Sequence, residues 1–282
     1  KSILSTYPTQ LLPKNTAAVR YQALRKLPAA FEKVGAIAAA DKLTEVLFDI
    51  ITGQVEVEKT YRESVIAASP PLIKVLMRAP DANQVSRMRC IQCFIQPLSD
   101  FFVNGEESSM LKTAASKALV ESYEYLDDET FRYYLIPVVR GAFIEEDCSD
   151  TTVVDIVVGI MPRMDASDYE WISKGMQNLQ HNTNSAMRKE TVRVIGVFAS
   201  RMKAEDVKKY VFDQYCKLAE DPLWLIRRDF VRLLDAMFKK VSNGDIDILF
   251  EKYLGLLHDQ QKQVIFACVE VLPLLARNAQ FG

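Results

Sequence analysis

Apolar residues along this chain recur with the period of a helix almost everywhere. In residues 207–220, VKKYVFDQYCKLAE, Val207, Val211, Phe212, Tyr215 and Leu218 fall on one helical face. Asp221 and Pro222 then punctuate the pattern, and Pro222 is expected to open a second helix, since proline suits a first turn. Ile226, Phe230, Val231, Leu233, Leu234, Met237 and Phe238 form the inward face of that second run. Asn243–Gly244 reads as a turn, followed by helices over 246–257 and 261–278. Strand-like alternation is scarce and only 10 glycines are present, which predicts an all-α chain.

The unit of helix, turn, helix, turn repeats. Second helices open with an apolar residue and a base: Val19-Arg20, Tyr61-Arg62, Leu111-Lys112, Met187-Arg188 and Ile226-Arg227, with Gln261-Lys262 as a looser copy. The bases stand 42, 50, 76, 39 and 35 residues apart. The interval of 76 spans two periods, filled by a copy near Thr152 without the base. A period of roughly 40 residues follows. Six residues before the base stands an acid or amide in four copies: Glu56, Glu106, Asn182 and Asp221; Lys14 and Leu256 break the rule. First helices are expected near 41–52, 84–103, 128–144, 168–180, 207–220 and 246–257. A single helix pair cannot bury two apolar faces, so the pairs must stack. The expectation is an α-solenoid of about seven helix pairs, with 1–282 a single array. The last helix, VIFACVEVLPLLA, is apolar on more than one face. The array is therefore expected to continue past this chain or to be covered there by a partner.

The stretch KLAEDPLWLIRRDFVRLLDAMF resembles a HEAT repeat. It is most similar to those of the scaffold (A) subunit of protein phosphatase 2A and related phosphatase regulatory subunits. In that family the turn between helices reads Asp-x-x-Trp-x-Val-Arg; here Asp221, Trp224, Ile226 and Arg227 take those places. The segments EVLPLLA at 270–276 and VRYQALRKLPAAFEKVG at 19–35 are also similar to it. The resemblance implies a ladder of turn acids and helix bases between neighbouring repeats. Asp221, Arg227, Glu56, Arg62, Arg188 and Arg20 are its expected members. It implies too that the turns form a ridge for protein partners, a phosphatase catalytic subunit among them. Trp224 and Arg228 would contact the partner, with Arg228 free to face it. The acidic turn Glu145, Glu146 and Asp147 would lie on the same ridge. Trp and Arg are the residue types most enriched at binding hot spots. The alternative class is a transport or tethering adaptor that wraps a cargo segment.

Charge and composition narrow the classes further. A net charge of -2, with 26% charged and 49% hydrophobic residues, supplies a core but no whole-chain basic field, so nucleic acid is not an expected partner. No apolar run approaches the length of a membrane span, and a cytoplasmic or nuclear location is expected. Five scattered cysteines point to reduced thiols. Cys90 and Cys93 form a C-x-x-C inside a helical run with no second ligand pair, which favours packing over metal. His181 and His258 fall near turns without catalytic companions. Asp127, Asp128 and Glu129 suit a helix start. Arg227, Arg228, Arg232, Lys239 and Lys240 make a basic stripe that reads first as a solvated face. Trp171 is expected to be buried behind a cap at Ser167 or Asp168. No phosphate loop, dinucleotide fingerprint or nucleophile elbow occurs, so neither enzyme activity, metal nor cofactor is expected.

Overall fold

The computed structural model describes residues 3–103, 108–145 and 148–279. Among them every regular element is helical and no strand occurs. The chain divides into two compact units, Lys1–Ala142 and Phe143–Gly282.

In the first unit the helix Ala17–Val34 buries Ala23, Leu24, Leu27, Ala30 and Phe31 at helical spacing, and Thr16 caps its start by accepting from the Val19 amide. Gly35 ends it at φ 81°, a left-handed value that disfavours other residues. A side chain there would also collide with Asp81, whose carboxylate accepts from the Ala36 and Ile37 amides at 2.9 and 3.3 Å. The loop carrying Asp81 thus caps a helix 45 residues earlier. Gln84–Cys90 opens with a reciprocal box between Asn83 and Ser86. A π-helical turn, Ile91–Ile95, follows directly and buries Cys93. Lys59–Ala67 packs on Ser109–Ser122.

The second unit is built from hairpins. The first pairs Tyr169–His181 with Ser185–Arg201, and the second of these also packs on Thr151–Ile160. The next hairpin is Ala204–Tyr210 and Phe212–Leu218 with Trp224–Phe238; the third is Asn243–Leu256 with Lys262–Ala279. Trp224–Phe238 packs against Ser185–Arg201 on one side and Lys262–Ala279 on the other. Its buried residues are Ile226, Phe230, Val231, Leu234 and Met237, all expected from the periodicity, whereas Leu233 and Phe238, also expected inward, are only half-buried. Full burial of each such side chain stabilises by about 1.5–3 kcal/mol.

Local boundaries differ from the expected ones for definable reasons. Residues 207–220 are two short helices, broken at Val211, where φ is -128°. Pro222 does not open the second helix. It sits in the turn, and the helix begins at Trp224, because Asp221 bends the chain by accepting from the Leu223 amide at 2.8 Å. Asn243 and Gly244 are not a turn but the first residues of a helix, which starts after Ser242. The Ser242 hydroxyl donates to the Asp245 carboxylate at 2.7 Å and holds that start. Asp168 is the N-cap position of Tyr169–His181, as expected, but the side-chain cap is made one turn earlier, by Asp165, which is boxed with Asp168 around the turn Ala166–Asp168. Trp171 itself is buried, its indole N–H donating to Asp168 at 3.2 Å. No helix among the described residues is long and apolar enough to cross a membrane.

Candidate functional site

Three turns of the second unit share one construction. Asn182, Asp221 and Asp259 each accept, through the side chain, from the amide two residues on: Asn184, Leu223 and Gln261, all at 2.8 Å. These are Asx turns, in which a short side chain substitutes for a backbone carbonyl. The turns lie 39 and 38 residues apart. A second marker fixes the latter register. The Tyr215 hydroxyl donates to the Phe230 carbonyl at 2.6 Å, and the Tyr253 hydroxyl donates to the Cys268 carbonyl at 2.9 Å, each across 15 residues.

An arginine threads each turn to the next. Arg188 donates to the Asn182 and Thr183 carbonyls of its own turn at 3.1 and 3.2 Å, then to the Asp221 carboxylate of the following turn at 3.0 and 3.3 Å. Arg227 repeats the pattern, donating to the Asp221 and Pro222 carbonyls at 2.7 and 3.1 Å and to Asp259 at 2.7 and 2.9 Å. The planar guanidinium suits this use, since its fork of donors can serve two carbonyls and a bidentate carboxylate together. The side chains are mostly withdrawn from water, 16% exposed for either arginine and 7% and 5% for Asp221 and Asp259. The Arg227 guanidinium holds the Asp259 carboxyl below its usual range, and Asp259 raises Arg227 in turn. The Asn182 side-chain amide donates directly to the Cys148 carbonyl of the preceding segment at 2.8 Å.

In the first unit Arg20 makes a comparable bidentate contact at 2.7 and 2.9 Å, with Glu58. This pair, first through its hydrogen bond, draws Glu58 down to about 2. Glu56, the expected ladder acid, is exposed two residues away. Arg62 donates to the Ile51 carbonyl at 2.8 Å and lies 5.2 Å from the Phe101 ring centre. Lys262, the base of the loosest copy of the repeat, is three residues out of register. It opens its helix, and the position equivalent to Arg227 is Ile265.

Trp224 is the first residue of its helix and half-buried. Arg228, one turn on, places its guanidinium 5.5 Å from the indole centre and pairs with Asp229 at 2.9 Å. Arg228 is therefore held against Trp224 rather than free, a local cation–π arrangement that braces the indole. Trp224, Arg228, Asp221, Arg227 and Arg188 come together at this one turn. Glu145 is exposed, its carbonyl accepting from the Cys148 amide at 3.3 Å; Glu146 and Asp147 lie outside the described residues.

The basic stripe dissolves into local pairs. Arg232 approaches Asp229 at 3.7 Å, Lys239 meets Asp235 at 2.6 Å, and Lys240 donates to the Ser200 and Met202 carbonyls. All five cysteines are free and buried, and desolvation pushes the Cys216 and Cys268 thiols up to about 11. His181 and His258 are exposed at turns. Asp127 caps a helix by accepting from the Thr130 amide at 2.8 Å. Among the described residues no group of three metal-ligating side chains converges.

No family model and no curated protein matches the chain. The solved structures to which it is similar include two engineered proteins. One is 13% identical over 97% of this chain and 78% of that chain, with a TM-score of 0.45. The other is 14% identical over 97% and 98%, with a TM-score of 0.33.

Proposed function

We propose that the chain is a HEAT-type α-solenoid that acts as a non-catalytic protein scaffold, a regulatory or scaffolding subunit of a protein phosphatase 2A-type complex. The observation that carries the reading is the turn module of the second unit. Asn182, Asp221 and Asp259 recur in near-constant register, and Arg188 and Arg227 tie each turn to the next. A stiff row of turns holds bound proteins at fixed separation and so raises their effective concentration. Trp224 stands on that row with its indole braced by Arg228. It is a rigid, partly exposed aromatic beside a base, the composition of a binding hot spot. The resemblance of the Asp221–Arg227 turn to the phosphatase scaffold names the partner class.

Hydrogen exchange with and without a purified phosphatase 2A-type catalytic subunit tests the reading. Protection is expected at the turns 182–185 and 221–224. Protection confined to helix interiors away from the turns would favour an adaptor that wraps a cargo segment.

A further inference from the structure

The charges around the three braced turns do not balance. Every acid there is already met: Glu190 by Arg193, Glu220 by Lys252, Asp221 by Arg188, Asp229 by Arg228 and Asp259 by Arg227. Lys189 and Lys262 are exposed, and among the described residues neither pairs with an acid. Their places follow from the register. Lys189 stands 39 residues before Arg228, and Lys262 stands 38 residues after Trp224. Trp224–Phe238 packs between Ser185–Arg201 and Lys262–Ala279, and the Arg188–Asp221 and Arg227–Asp259 bonds hold the turns level. The two lysines therefore flank the turn 221–224, one on either side, each at an interhelix spacing of about 8–10 Å. Between them Pro222 is exposed and Leu223, Trp224 and Leu225 are half-buried. The base on that apolar spot, Arg228, is held by Asp229 at 2.9 and 3.0 Å.

We propose that this row of turns binds an acidic segment of a partner protein, with an apolar side chain on Trp224 and a carboxylate at each lysine. Two interhelix spacings span about 16–20 Å, which an extended chain crosses in about five or six residues. The matching pattern is an acid, an apolar residue midway and a second acid. A basic segment is excluded by the same charges, since it would meet two lysines and find each acid of the row already paired. The inference rests on reading the turns as a protein-binding surface, but not on a phosphatase as the partner.

The probes are the peptides Glu-Glu-Ser-Leu-Ser-Glu-Glu and Lys-Lys-Ser-Leu-Ser-Lys-Lys, titrated into the full chain at low salt with tryptophan emission as the readout. Trp171 is buried, so a saturable change reports Trp224, and Trp224→Phe should remove it. The acidic peptide should give that change and the basic one should not. Lys189→Glu with Lys262→Glu should weaken the acidic peptide at least tenfold and admit the basic one. Both positions are exposed, so circular dichroism should be unchanged, and the milder Lys189→Ala with Lys262→Ala should weaken the acidic peptide too. No saturable change, an equal response to both peptides, or unchanged affinity in the charge-reversed chain would overturn the proposal. So would self-association of the unaltered chain that the charge reversal abolishes, since the occupant would then be a second copy. A chain that takes the acidic peptide but no phosphatase catalytic subunit keeps this inference and loses the phosphatase reading; the converse result loses this inference alone.

Discussion

Asp221 does three things with few atoms. Its carboxylate bends the turn through the Leu223 amide and receives Arg188, while its carbonyl accepts from Arg227. Asp221→Ala removes the first two and leaves Arg188 without its carboxylate. Hydrogen bonds to charged groups and broken buried pairs each count for a few kcal/mol, so the loss should be about 3 kcal/mol in urea unfolding. Asp259 gives a pH signature. Its folded pKa lies below the ordinary carboxylate value, so the stability it contributes is complete above roughly pH 4 and is lost as pH falls through the depressed pKa. Arg227→Met should lower stability at neutral pH and flatten the decline below pH 4; an unchanged acid slope would contradict the pairing. Much of this was legible in the sequence. Arg188, Asp221 and Arg227 follow from the recurring turn. Glu58 does not, because its offset from the base is not six, and Asp259 does not, because Lys262 is out of register; counted from Ile265, Asp259 stands at the six-residue offset. Turn length varies, and the contact is set by where the turn passes, so the acid meeting Arg20 lies four residues before Arg62 and not six. Arg228 departs from the expected free position for a different reason: its nearest acid, Asp229, is the adjacent residue, and helix spacing rules pass over such pairs.

Helices were the most legible scale, since a stripe of apolar residues every three or four positions survives any uncertainty about ends. Their starts were less so. Pro222, and Asn243 with Gly244, carry composition signals that suit either a turn or a first helical turn. Side-chain hydrogen bonds at Asp221 and Ser242 decided between them. Close packing between elements was invisible to the pattern. Gly175 is buried in the middle of Tyr169–His181, and a Cβ there would run into the Phe143 ring, with the Phe143 carbonyl 3.0 Å away. The ring packs edge-on against Trp171 at 6.1 Å and has little room to move. Gly175→Ala should therefore destabilise by about 1–3 kcal/mol despite alanine's better helix propensity. A stabilised variant in thermal unfolding would show that Phe143 yields freely.

At the scale of the whole molecule, the all-α class is plain in both sequence and structure. In the proposed reading, function attaches to that class through the turns. A run of helix pairs with one repeated, braced turn presents the same backbone geometry again and again, and what distinguishes one turn from the next is the residue placed on it. Trp224 with Arg228 is the most distinctive placement among the described residues of the second unit. Trp224 is half-buried at a helix start, so its loss should leave the helix content unchanged while removing a contact for a partner. The most direct test is the affinity of a purified phosphatase 2A-type catalytic subunit for the unaltered chain and for Trp224→Ala combined with Arg228→Glu. The account predicts micromolar or tighter binding that the double variant weakens at least tenfold, with unchanged circular dichroism. Equal affinity for both chains, or none for either, would contradict it.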